Sequence, residues 1–209
     1  MAPRDPSPYL WWLVSRASGI VALGLVTIAV LLGLTMSTKL LRRPGVGRTL
    51  VLLHEHVALV GLTAIAVHGL ALLGDPWLHP GPGGLIIPFA MSYRPLFTGL
   101  GIIAGYLAAL LGLSFYARRR IGVKLWRRLH RATLLVWVLG VIHTLGAGSD
   151  AATQWLRVLV LLPAIPIVYL TVLRSLQGRT RKASKASKAN AGGATAPPRR
   201  VNALAEEAT

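Results

Sequence analysis

The sequence predicts an all-α membrane protein, a polytopic bundle of about five transmembrane helices. Of its 209 residues, 54% are hydrophobic and 14% are charged, whereas a soluble domain carries about a quarter charged residues. The mean hydropathy is +0.59. The apolar residues also lie in long blocks, of the length that a helix needs to cross the ~30 Å hydrocarbon core of a bilayer.

Five apolar segments form the predicted spans, at about residues 9–34, 50–73, 96–116, 132–145 and 155–173. The first is longer than the apolar region of a signal peptide and lacks its cleavage site, so we expect it to be retained. The fourth reaches full length only if it begins near Leu129. Pro163 and Pro166 should kink the fifth helix, because proline cannot donate a backbone hydrogen bond.

The basic residues indicate how the spans are oriented. Of the 23 lysines and arginines, 19 lie in the first and third connections and in the C-terminal region. The positive-inside rule therefore places the N-terminus outside and the C-terminus in the cytoplasm. The predicted organisation is a short external N-terminus (1–8), a transmembrane domain (9–175) and a basic cytoplasmic tail (176–209). We expect the tail to be disordered, because it is rich in Ala, Ser, Lys, Pro and Gly without a hydrophobic pattern.

The charge and the missing cysteine limit the possible partners and chemistry. The formal net charge is +17, but the basic residues flank the spans, where anionic lipid headgroups are the expected partners and nucleic acid is not. No cysteine is present, so disulfides, iron–sulfur clusters and thiol chemistry are excluded. Any redox chemistry needs a bound cofactor. The Ala/Leu/Gly/Arg-rich composition suggests the plasma membrane of a bacterium.

Four histidines lie at matched depths on two spans that run in the same direction. His54 and His68 in the second span are 14 residues apart, a rise of about 21 Å, and His130 and His143 in the fourth are 13 apart, about 20 Å. The two helices thus present two histidine pairs stacked across the membrane. An ionisable side chain in a span is costly and indicates a functional site.

This arrangement favours bis-histidine haem b, in which one imidazole binds each face of the iron. Two such haems would carry electrons across the bilayer in steps. Zinc fits less well, because it prefers four clustered ligands. The alternatives are a haem-free proton or ion pathway through the same histidines, interhelical hydrogen bonds and a structural membrane anchor.

The helical phase of the fourth span requires a local irregularity. Fourteen steps of ~100° bring His68 back to within about 40° of His54, whereas thirteen leave His143 about 140° from His130. A tightened or bulged turn, or different directions of ligand approach, must close that gap. His56 lies about 120° from His68, so His54 is the preferred ligand.

The chain resembles the ferric-reductase-like transmembrane domain family over about residues 10–175. This family is related to the membrane cores of NADPH oxidases and to the haem-binding subunit of bacterial methionine-sulfoxide reductase systems. The unequal histidine spacings are the most specific part of the resemblance. The resemblance rests on four motifs, which are Ser15-Arg16-Ala17-Ser18-Gly19, His54-x13-His68, Ser92-Tyr93-Arg94-Pro95-Leu96 and Trp126-Arg127-Arg128-Leu129-His130-x12-His143.

The resemblance implies a role for each of these positions. His54 and His130 would be the axial ligands of an inner haem iron, and His68 and His143 those of an outer one. Three arginines are candidates for contacts with the haem propionates, since guanidinium binds carboxylate bidentately. They are Arg16 and Arg94 at the outer haem and Arg127 at the inner haem.

The implied function is a two-haem b electron carrier and an oxidoreductase component, passing electrons from the cytoplasmic side to an acceptor outside. Only about 35 residues follow the last span, without a Gly-rich phosphate loop. We therefore expect the chain to have no FAD or NAD(P)H domain of its own. Its electron donor would be a separate flavoprotein reductase or a membrane quinol.

Overall fold

The computed structural model describes residues 9–38, 40 and 45–194, and this part of the chain is helical with short connections and no strands. Five of its helical segments are long and apolar enough to cross a membrane, as predicted. The helices are α1 (Leu10–Thr38), α2 (Val46–Ala71), α3 (Gly81–Ile86), α4 (Pro95–Ile121), α5 (Val123–Leu129), α6 (Thr133–Ala147), α7 (Gln154–Leu161) and α8 (Ala164–Ala194).

The first three spans are α1, α2 and α4. A 3-10 turn at Leu72–Gly74 extends α2. The third span begins at Pro95, which suits the first helical position because proline has no backbone N–H to satisfy there. Arg94, immediately before it, takes the left-handed conformation with φ 43°. Short α3 lies in the connection between α2 and α4.

The fourth span is assembled from α5, a 3-10 turn at His130–Ala132, and α6. The expected tightening of this helix is therefore found directly after the first histidine. A 3-10 helix has three residues per turn, so three such residues add about 60° of rotation over an α-helix. The turn reduces the 140° phase difference to roughly 80°, and the direction of approach must supply the remainder.

The fifth span is interrupted between α7 and α8, at Leu162 and Pro163, as the prolines predicted. Helix α8 then continues to Ala194, where the sequence had predicted disorder from residue 176. Alanine, lysine and arginine are strong helix formers, and this segment can extend a helix that is already nucleated in the membrane. Residues 195–209 of the predicted tail and the predicted external residues 1–8 lie outside the described residues.

Helix α1 is central to the bundle. It packs along α2 and also contacts α6 and α8, while α4 packs against α6. A buried cluster joins α1, α6 and α8. Its buried members are Val30, Leu34, Trp137, Ile167 and Leu170. Many large apolar side chains elsewhere are exposed on the surface, as expected of a lipid-facing bundle.

Candidate functional site

The structure brings the four span histidines together in the pairs expected from their depths. The ring centroids of His54 and His130 are 6.1 Å apart, with the ring planes at 80°. Those of His68 and His143 are 6.0 Å apart, with the planes at 74°. We call these the inner and the outer pair. Each pair joins α2 to the fourth span.

In three of the four histidines, Nδ1 lies within hydrogen-bond distance of a backbone carbonyl on a neighbouring helix. The Nδ1 atom is 2.7 Å from the Ser15 carbonyl in His68, 2.9 Å from the Ala29 carbonyl in His54 and 2.9 Å from the Phe97 carbonyl in His143. A carbonyl only accepts, so Nδ1 must carry the proton in each ring. The unprotonated Nε2 is then available to bind a metal, as in most metal-binding histidines.

The same three rings lie over glycines. Each accepting carbonyl belongs to a residue that stands four positions before a glycine on the same helix, and we call this arrangement a carbonyl–glycine seat. The lack of a side chain at the glycine lets the imidazole reach the helix backbone. The seats are Ser15/Gly19 for His68, Ala29/Gly33 for His54 and Phe97/Gly101 for His143.

The seats are tight. A Cβ atom at Gly19 would lie 2.9 Å from His68 Nδ1, and one at Gly33 would lie 3.4 Å from His54 Cε1. A Cβ at Gly101 would overlap the His143 ring. The close approach therefore requires glycine at positions 19 and 101. At position 33 a Cβ atom would fit with a small shift of the His54 ring.

Sequence reasoning missed the seats, although a signal was present. Gly19 and Gly33 are 14 residues apart, the same interval that separates His54 from His68. Helices α1 and α2 are antiparallel neighbours. Gly19 therefore lies at the level of His68, and Gly33 at the level of His54. A Gly-x13-Gly pattern in one helix, followed by His-x13-His in the next, therefore indicates two seats.

His130 is the exception. Its Nδ1 is buried and has no hydrogen-bond partner among the described residues. The imidazole instead stacks on the indole of Trp126, with ring centroids 4.9 Å apart and planes at 27°. Trp126 Nε1 is also buried without a partner in the described part of the chain.

Two of the three arginines singled out from the sequence, Arg16 and Arg94, have protein partners of their own. Arg16 Nε donates to Asp150 Oδ2, which ties the start of α1 to the connection between α6 and α7. Its guanidinium also lies 5.0 Å from the Trp12 ring centroid. Arg94 Nη1 donates to the Gly146 carbonyl, and Arg127 is exposed on α5. Contacts of these arginines with haem propionates stay predictions.

Other polar groups near the pairs point elsewhere. His56 is exposed and its Nδ1 is 2.8 Å from the Leu52 carbonyl of its own helix, which agrees with the preference for His54. Glu55 accepts a 2.9 Å hydrogen bond from the Tyr116 hydroxyl and has no imidazole partner. His79 is exposed in the connection after α2.

The two pairs suit a metal ion whose other ligands are supplied by a cofactor. No group of three or more His, Cys, Asp or Glu residues that could hold a metal ion occurs in the described residues. Each site therefore offers two imidazoles, which suits haem iron with its four porphyrin nitrogens. A metal–imidazole bond is about 2 Å, so one metal between two imidazoles separates their centroids by roughly 6 Å. That is close to the 6.1 and 6.0 Å observed.

Comparison with known proteins identifies a family and no individual relative. The family described as ferric reductase like transmembrane component matches residues 18–141. That range contains His54, His68 and His130, and His143 lies two residues beyond it. No curated protein and no solved structure matches the chain significantly. Because the match covers more than half of the chain, the protein belongs to the ferric-reductase-like transmembrane family.

Proposed function

We propose that the protein is a transmembrane electron carrier with two b-type haems, one at each histidine pair. The observation that carries this proposal is the stacking of two equivalent pairs along the same two spans, each with ring centroids about 6 Å apart. Membership of the ferric-reductase-like family supports a membrane electron-transfer role. The proposed axial ligands are His54 and His130 for the inner iron and His68 and His143 for the outer iron.

Each part of the site has a defined task in this proposal. Haem, when bound, supplies reversible one-electron chemistry. The four Nε2 atoms would hold the irons, and the carbonyl–glycine seats orient three of the rings and fix their tautomer. The ligands on α2 are 14 residues apart, about 21 Å along the helix. The pairs therefore divide the crossing of the ~30 Å hydrocarbon core into shorter steps.

The direction of transfer follows from the charge pattern. With the N-terminus outside and the basic connections inside, the His54–His130 pair lies on the cytoplasmic side of a bacterial plasma membrane. The proposed donor is a separate flavoprotein reductase or a membrane quinol, and the proposed acceptor is a molecule outside the membrane. Arg16 and Arg94 are proposed to set the charge around the outer haem, and Arg127 around the inner haem.

A haem-free proton pathway is less well supported. Such pathways use chains of carboxylates and histidines. Glu55 is the one carboxylate within the five described spans, and it is hydrogen-bonded to Tyr116. A plain membrane anchor, the other alternative, would leave the two histidine pairs and their seats without a purpose.

The direct test is haem content. Purified protein should give a dithionite-reduced minus oxidised spectrum of low-spin b type, with about two haems per chain. We expect His68→Ala and His143→Ala to lose the outer haem, and His54→Ala and His130→Ala to lose the inner one. His56→Ala is the matched control, because His56 is exposed and should leave both haems in place.

The proposal has clear contrary outcomes. Protein that folds with haem available and holds none would exclude electron transfer through these pairs. Retention of both haems in His68→Ala and His143→Ala would exclude the ligand assignment. Once two haems are established, reduction by a flavoprotein reductase or by a quinol in vesicles would distinguish the two donors.

A further inference from the structure

We propose that Trp126 is a positioning residue for His130, and that aromatic stacking replaces the carbonyl–glycine seat at this ligand. The inference rests on the proposed function, in which His130 binds the inner haem iron. It concerns what orients the ring, which the family match does not address.

The first observation is that His130 has no seat. The Leu111 carbonyl on α4 lies near its ring, but no hydrogen bond of good geometry joins it to Nδ1. The residue four positions later, where each seat has glycine, is Phe115. Helix α4 therefore offers His130 no glycine at which its imidazole could approach the backbone as the other three rings do.

The second observation is the stack that takes its place. Trp126 and His130 are four residues apart, so their side chains lie on one face of the helix. Their nearly parallel rings, 4.9 Å apart at 27°, are in contact over their faces. The His54 ring lies 6.1 Å from the imidazole and is nearly perpendicular to it. An indole on the face of the imidazole leaves the in-plane Nε2 atom free to bind iron.

The indole is itself held in place by α4. Phe115 contacts Trp126 edge to face, with centroids 5.8 Å apart and planes at 61°. The Arg118 guanidinium lies 3.7 Å from the Phe115 ring centroid. Hence the side chain that stands in place of a seat glycine also supports the indole that orients His130. Phe115 and Trp126 together support His130, where the other three ligands have a carbonyl and a glycine.

The two devices differ in what they constrain. A hydrogen bond to Nδ1 fixes both the plane and the rotation of an imidazole. A stack fixes the plane, through the preference of aromatic rings for offset contact, and leaves the rotation within that plane freer. Without Trp126, His130 has neither constraint, and the bond from its Nε2 to iron is the one that should loosen.

The experiment compares Trp126→Leu, which removes the flat face, with Trp126→Phe, which keeps one. Both variants are made in the full chain and purified with haem. We expect Trp126→Leu to lose the low-spin signal of one haem of two by electron paramagnetic resonance, and its dithionite-reduced form to bind carbon monoxide at one iron. Trp126→Phe should keep two low-spin haems and bind no carbon monoxide. The outer haem reports on folding within the same molecule.

Trp155→Leu is the matched control, since Trp155 lies exposed on α7, away from the histidines. If Trp126→Leu does not assemble, Trp126→Met replaces it with the same expectation, because methionine fills space without a flat face. Two unchanged low-spin haems in Trp126→Leu would overturn the inference, and so would loss of the inner haem in Trp126→Phe. Wild-type protein without two haems would instead contradict the proposed function.

Discussion

The outer and inner pairs both consist of two histidines but are supported differently. Both outer rings, His68 and His143, occupy carbonyl–glycine seats, and the Ser15 hydroxyl lies within 3.1 Å of His68 Nδ1 as well. Of the inner rings, His54 has a seat and His130 has an aromatic stack. Histidines in equivalent pairs can therefore be supported by different contacts. Both outer rings are hydrogen-bonded to a carbonyl, whereas the inner pair has one hydrogen-bonded ring and one stacked ring.

The outer end is also tied across the bundle. Two arginines reach the segment that leads from α6 to α7: Arg16 from α1 pairs with Asp150, and Arg94 before α4 donates to the Gly146 carbonyl. These contacts hold together the helices that carry the two outer seats. At the inner end, the last turn of α4 and helix α5 carry exposed arginines that face the cytoplasm in the proposed orientation.

The largest expected effect comes from filling the His143 seat. A Cβ in Gly101→Ala would overlap the imidazole, so the ring must leave its position. We expect this variant to lose the outer haem and keep the inner one, measured as about one haem per chain. Gly105→Ala is the control, because its Cβ would lie 3.6 Å from Ile65, an ordinary contact. Two haems in Gly101→Ala would show that His143 binds iron without its seat.

A graded effect is expected at the two seats on α1. Gly19→Ala would place Cβ 2.9 Å from His68 Nδ1, so the outer haem should become partly depleted or shift its spectrum. Gly33→Ala would place Cβ 3.4 Å from His54, which requires a smaller adjustment, and should retain the inner haem. Gly24→Ala, with nothing within 4 Å, should match wild type. The reverse order of haem loss would contradict the seat geometry.

Arg16 has two proposed roles, the ion pair with Asp150 and a contact with the outer haem, and variants of the two residues distinguish them. The pair is partly exposed, with side-chain exposures of 33% and 15%. Breaking it by Arg16→Gln or Asp150→Asn should therefore cost about 0.5–1 kcal/mol of folding stability in each case. We expect the reduction potential of the outer haem to shift in Arg16→Gln and to stay unchanged in Asp150→Asn. Equal shifts in both variants would assign Arg16 to the ion pair alone.

The smallest expected effect is at the Ser15 hydroxyl. Ser15→Ala keeps the carbonyl that accepts from His68 and removes the hydroxyl contacts with its Nδ1 and carbonyl. The loss should be about 1 kcal/mol in stability, with both haems retained. Ser37→Ala is the control, since that hydroxyl donates to the Leu34 carbonyl of its own helix, away from the seats. Thermal release of haem measures the difference, and haem loss in Ser15→Ala would mean that the carbonyl alone cannot hold the ring.

Much of the fold and the pairing followed from the sequence, because both depend on regular helix geometry. Apolar blocks located the five spans, and the rise per residue set the depths of His54, His68, His130 and His143. Even the 3-10 turn after His130 was foreshadowed by the mismatch between a 13-residue interval and the helical period.

What could not be predicted depends on contacts between helices. The Ser15, Ala29 and Phe97 carbonyls are present in any helix, and nothing in their side chains marks them as acceptors. The partner of Arg16 comes from a connection 134 residues later, which periodicity cannot locate. The helix at residues 176–194 was missed because polar composition alone suggested disorder, although its alanines and lysines favour a helix once one has begun.

The carbonyl–glycine seat has a consequence for protein design. It orients an imidazole inside a membrane without adding any polar side chain, because the acceptor is a peptide group that every helix already possesses. A designer would need one glycine on a helix and one histidine at the same height on its neighbour. Cofactor sites could then be moved along a bundle by shifting both residues together, without placing a new charge in lipid.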